Sequence, residues 1–216
     1  MTKKERVKGV LELLDIHYPM EGKCYLDYEK PYELMIATIL SAQCTDGRVN
    51  IVTADLFKKY PTLEAFASAD PKEMEKDVKS TGFYRNKAAN IIKASRALLE
   101  VHKAQMPSDI DELTKLAGVG RKTANVIRSN IFQIPSVVVD THVKRISYRL
   151  GFTKNTDPDK IEQDLMKLLP KAHWIRYNTQ IIAHGRAICK APNAKCELCF
   201  MTGFCKDYSG KGGVKR

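Results

Sequence analysis

The chain reads as an all-α protein, on three observations. Segment after segment places apolar residues three and four apart, the period of a helix with one buried face. Most of those segments open on a capping residue or a first-turn proline. The one run with strand character, Val137-Val138-Val139, is too short to build a sheet.

Taken in order, residues 4–15 put Val7, Val10, Leu11 and Leu14 on one face. Pro31 opens PYELMIATILSAQ, in which Leu34, Ile36, Ile39 and Leu40 are apolar. Asp46 is expected to cap a helix reaching about Tyr60, and Thr62 and Pro71 to open two shorter ones. Asn86 is the expected cap of KAANIIKASRALLEVHK, and Ser108 that of a helix entering LAGVG. Asp140 fits the N-cap of a helix ending at Gly151. Asp157 and Pro158 open DKIEQDLMKLL, which Pro170 stops. The glycine- and lysine-rich tail SGKGGVKR, residues 209–216, is expected to be mobile.

A chain of 216 residues has room for one large or two small domains. Lysine and arginine number 36 against 25 acidic residues, a formal net charge of +11. Such an excess suggests a polyanionic partner, although many basic proteins catalyse nothing. The start, MTKKERVKGVLELL, is charged and lacks a long apolar core. No stretch approaches the roughly 18 apolar residues of a membrane span. The expectation is a soluble, non-exported, cytoplasmic protein with no membrane partner.

Residues 116–120, Leu-Ala-Gly-Val-Gly, separate two expected helices. Gly118 and Gly120 let the backbone turn with no Cβ in the way. The next helix then begins with unpaired N–H groups and a positive dipole end, which hold a phosphate. This is a helix–hairpin–helix arrangement, gripping DNA backbone without reading sequence; an ordinary interhelical turn is the plainer alternative. Arg121 and Lys122 follow directly. The positive field at a helix start favours a neutral amine, the form that attacks carbon. Lys122 could equally be a phosphate contact or a solvated side chain. Asp140, behind the valine run, could pair with such an amine or steady a cationic transition state besides capping its helix. His142 reads as structural.

Of six cysteines, four are clustered as Cys189-x6-Cys196-x2-Cys199-x5-Cys205. Without an export signal, such a cluster argues for metal rather than disulfides. Spacing leaves a tetrahedral zinc site and an iron–sulfur cluster both open. Lys190 and Lys195 lie between the first two ligands, where they can offset cluster charge or face DNA phosphates. Cys24 and Cys44 read as buried structural residues.

The segments LSAQCTD (40–46), TGFYRNKAANI (81–91), LAGVGRKTANVI (116–127), VVVDTHVKRISYRLGF (137–152) and HGRAIC (184–189), with the four cysteines, resemble the endonuclease III family of helix–hairpin–helix DNA glycosylases. The resemblance runs from Pro31 to Cys205. It implies two α-helical domains with the DNA groove between them. One is a helical barrel at 24–134 carrying the hairpin. The other joins 1–23 to 135–216 and holds a 4Fe–4S cluster on Cys189, Cys196, Cys199 and Cys205. It implies a glycosylase and abasic-site lyase acting as a monomer on double-stranded DNA with damaged pyrimidines or abasic sites. Lys122 and Asp140 take the catalytic positions. Gln43 enters the gap left by the extruded nucleotide, Phe83 is the apolar wedge, and Gly118, Val119 and Gly120 clamp the backbone. Three positions depart from the family pattern: Ala117 replaces a usual proline, Gln133 a glycine and Phe83 a commoner leucine. Rival readings are a monofunctional adenine glycosylase, a zinc-stabilised DNA-binding module and a ferredoxin-like electron carrier.

Overall fold

The computed structural model describes residues 1–19 and 24–210. The last six residues of the lysine-rich tail lie outside the described residues. Every regular element among the described residues is an α- or 3₁₀-helix, and no strand occurs. The chain divides into two compact units, Cys24–Ile134 and Met1–Lys23 with Pro135–Arg216.

The central unit is built around α2 (Pro31–Leu40). Leu34, Met35, Ile36, Ala37, Ile39 and Leu40 are all buried, so this helix is apolar all round rather than striped. Against it pack α3 (Asp46–Lys59), α6 (Tyr84–Glu100) and α8 (Arg121–Ile131). The short α4 (Leu63–Ala67), α5 (Pro71–Asp77) and α7 (Ile110–Lys115) complete the layer. Leu56, Phe66, Met74, Ile91, Leu98, Leu113, Val119 and Ile127 fill the same core.

Helix starts differ by a residue or two from expectation, because a cap is decided by side-chain reach. Thr45, not Asp46, caps α3, accepting from Arg48 N at 3.3 Å. Asp109, not Ser108, caps α7, accepting from Asp111 N at 2.9 Å and Glu112 N at 3.1 Å. Asn86 lies inside α6, which has no side-chain cap. Left-handed backbone at Gly82 (φ 72°) and Phe83 (φ 48°) turns the chain into α6 instead. α2 ends at Leu40, before Gln43, itself left-handed at φ 54°.

The other unit joins α1 (Lys3–His17) to α9 (Thr141–Leu150), α10 (Pro158–Leu168), α11 (Trp174–Ala187) and the short α12 (Lys206–Gly210). α1 carries a capping box, Thr2 with Glu5. Its Val7, Val10, Leu11 and Leu14 meet Val143, Ile146, Leu150, Phe152, Ile161, Leu165, Tyr177 and Ile181. α11 carries no capping side chain to mark its start in the sequence. Tyr177 is fully buried on it, its hydroxyl 2.9 Å from Ser147 Oγ. Val137 and Val138 are buried in this unit, in backbone that is not assigned to a strand. Asn178 Nδ2 donates to the Val138 carbonyl at 3.1 Å.

Candidate catalytic hairpin and cysteine cluster

In the central unit the hairpin runs from Leu116 to Gly120, between α7 and α8. Leu116 and Val119 point into the core, and Val119 N donates to Leu116 O at 3.0 Å. The Val119 side chain is therefore anchor, and only its backbone is on offer. Gly118 is needed twice over. Its φ is 78°, and a Cβ there would lie 3.0 Å from Asn90 Cβ and Nδ2. Gly120 differs, with ordinary extended backbone and nothing within 4 Å of a built Cβ. It is the N-cap of α8 without a capping side chain, leaving the helix start open for an anion. Arg121 and Lys122 form the exposed first turn.

Burial pushes the Cys24 thiol up, Asp46 adds to the rise, and the Lys122 ammonium opposes it. Lys122, Cys24 and Asp46 thus share one neighbourhood, which gives Cys24 a setting the sequence did not assign. Gln43 and Phe83 are both exposed, Phe83 at 65 %, an unusual placement for a phenyl ring.

In the second unit Asp140 caps α9, Oδ1 accepting from Val143 N at 2.8 Å. His142 lies within 3.2 Å of Arg145 Nη2 and packs against Gly185. Lys190 and Lys195 are exposed, and both backbone amides donate to Ile188 O, closing the loop between Cys189 and Cys196.

The four cysteines are mutual neighbours. Burial pushes the Cys199 thiol up to about 11, and Cys189, Cys205 and Cys196 contribute to the rise. Burial likewise pushes Cys205 up. Among the described residues no three His, Cys, Asp or Glu side chains close around a single ion. An all-thiol donor set of four half-buried cysteines fits a 4Fe–4S cluster, whose iron would draw these thiols into thiolate form. Two further groups reach the sulfurs. Arg149 Nη1 is 3.1 Å from Cys189 Sγ, and buried His184 Nε2 is 3.6 Å from Cys199 Sγ. Burial pushes His184 down to about 4, so the ring is neutral.

Comparison with known proteins places this arrangement. The model of the HhH-GPD superfamily of base excision DNA repair proteins matches residues 36–171. Endonuclease III of Synechocystis sp. is 49 % identical over 205 residues, 94 % of this chain and 93 % of that one. Endonuclease III of Bacillus subtilis is 41 % identical over the full length of both. The chain belongs to the endonuclease III family. The solved structure of a trapped endonuclease III–DNA covalent intermediate superposes with a TM-score of 0.92 at 41 % identity, covering 98 % of this chain and all of that one. As a member of the endonuclease III family the chain is a DNA-repair enzyme of the glycosylase and abasic-site lyase class. Among the described residues, no helix is long and apolar enough to cross a membrane.

Against the endonuclease III pattern, the departure at 133 acquires a physical meaning. Gln133 has φ 52°, backbone suited to the glycine usual there. Ala117 is half-buried in an ordinary turn, so the missing proline leaves the hairpin formed. Sequence reasoning passed over Lys87, Arg149 and His184. All three stand in segments that carry the family resemblance, but none carried a signal beyond its neighbours.

Proposed function

We propose that the chain is a bifunctional glycosylase and abasic-site lyase. It removes oxidised pyrimidines from double-stranded DNA and nicks 3′ to the resulting abasic site. The observation that carries the reading is Lys122, an exposed amine in the first turn of α8 directly behind the anion-holding hairpin. The trapped covalent complex of a 41 % identical endonuclease III supports a covalent route.

The basic surface, with Arg121, Lys190, Lys195 and the hairpin amides, holds phosphates of the duplex. Phe83 wedges the stack and Gln43 fills the vacancy, so a poorly stacked damaged pyrimidine swings out. The Lys122 amine attacks C1′. The C1′–N bond breaks and the base leaves with its electron pair, taking up a proton. Asp140 steadies positive charge on the sugar and receives the proton shed by the lysine nitrogen. The amine adduct opens to a Schiff base, which acidifies C2′. Loss of that proton expels the 3′ phosphate by β-elimination. A 4Fe–4S cluster held by Cys189, Cys196, Cys199 and Cys205 supplies cross-linking of the loop that bears Lys190 and Lys195. The enzyme acts as a monomer.

Borohydride trapping on a duplex with one thymine glycol tests this reading. Wild type should form a covalent adduct and Lys122→Gln none. Base release without any adduct would make the enzyme monofunctional. No reaction on this duplex or on an abasic one would leave a DNA-binding module.

A further inference from the structure

Lys87 performs no step in that reaction, yet it is withdrawn from water, with only 4 % of its surface exposed. Burying an ammonium is costly unless its donors are used. Here Nζ donates to Leu40 O at 2.8 Å and to Thr81 O at 2.6 Å. Leu40 ends α2, three residues before Gln43. Thr81 ends the 3₁₀ turn Lys79–Thr81, two residues before Phe83. One side chain therefore joins the two loops that carry the exposed amide and the exposed ring.

Those loops are strained. Gln43 at φ 54° and Phe83 at φ 48° are left-handed without being glycine. Such a residue carries backbone strain and persists where its surroundings over-determine it. Each loop has a local tie, Cys44 N to Ser41 O at 3.1 Å and Gly82 N to Lys79 O at 3.3 Å. Lys87 adds the link across them, and its backbone N also donates to Phe83 O at 3.1 Å.

We propose that Lys87 is a positioning residue for opening the base stack: its ammonium fixes the separation of the Gln43 and Phe83 loops, so that both side chains meet the duplex at one nucleotide. The proposal rests on the reading of Gln43 and Phe83 as the stack-opening pair. A paired, stacked lesion requires that opening. An abasic site holds no base to extrude and requires it far less.

The test compares wild type, Lys87→Met, Lys87→Gln, Phe83→Ala and Gln43→Ala as full-length holoenzymes in single turnover. One duplex carries a thymine glycol flanked by 2-aminopurine, and a second carries an abasic site. Lys87→Met should slow base excision on the order of 10- to 100-fold, the cost of misplacing a positioning group by about an ångström. It should also abolish the fluorescence rise, while abasic-site cleavage changes much less. Lys87→Gln, with one amide reaching one carbonyl, should fall between. If Lys87→Met is not recovered folded, the same ratio measured on Lys87→Gln decides. Equal losses on both duplexes with the fluorescence rise intact would mean a merely structural lysine and overturn the proposal. If Phe83→Ala and Gln43→Ala keep the rise, the pair does not open the stack and the proposal falls with that reading. If they lose it and the Lys87 variants keep it, Lys87 alone is refuted.

Discussion

Two glycines in one hairpin carry different physics, and substitution separates them. Gly118→Ala forces a Cβ onto left-handed backbone and against Asn90. It should cost about 1–3 kcal/mol in denaturant unfolding. Gly120→Ala meets neither obstacle. It should fold within about 1 kcal/mol of the parent, yet weaken duplex binding, because the new methyl stands before the open start of α8. Gln133 is the converse case. Gln133→Gly relieves a left-handed φ of 52°. It should stabilise by about 0.5–1 kcal/mol once the greater freedom of glycine in the unfolded chain is set against the strain. An unchanged or lower melting temperature would show that no strain is stored there.

At the scale of the element, Asp140 separates an observed cap from a proposed chemical role. Its Oδ1 caps α9 through Val143 N, and its charge is assigned to the reaction. Asparagine caps as well as aspartate. Asp140→Asn should therefore keep stability within about 0.5 kcal/mol while base excision collapses, whereas Asp140→Ala should lose about 1 kcal/mol in addition. Normal excision by Asp140→Asn would confine the residue to capping. The elements also show why legibility varies. α9 and α10 announced themselves because cap, apolar period and stop agree locally, and α1 by its apolar period alone. α11 did not, since Trp174–Ala187 starts without a cap and its burial comes from α1 and α9 packing on it. Thr45 and Asp109 beat their neighbours as caps by the reach of a single oxygen, which sequence does not measure.

For the whole molecule, a net charge of +11 makes duplex affinity a matter of counterion release. Log affinity should fall linearly with log salt, with a slope of about −0.9 per phosphate neutralised. Each of Arg121→Ala, Lys190→Ala and Lys195→Ala should shallow that slope by about 1. A slope unchanged in all three would remove these residues from the interface. Stripping the cluster should strike one unit first. Cys199 and Cys205 are half-buried, and that burial pushes both thiols up. Removal of iron should then lower the melting temperature. Amide-exchange protection should be lost across 141–210 before 24–134, whose core contains none of the four cysteines. Uniform loss would show that both units depend on the cluster.

The sequence alone determined the helical class, most helix positions, the hairpin, the four-cysteine set and the candidate lysine and aspartate. Each of these is written in local spacing, and local spacing survives without a fold. Only the tertiary structure decided which hairpin glycine is obligatory, that the Val119 side chain is an anchor, and that Gln133 is strained. It alone brought Arg149 to Cys189 and Lys87 to two carbonyls from separate segments. These are contacts between residues distant in the chain, set by how helices pack, and a buried lysine reads in sequence like any lysine until a core closes over it.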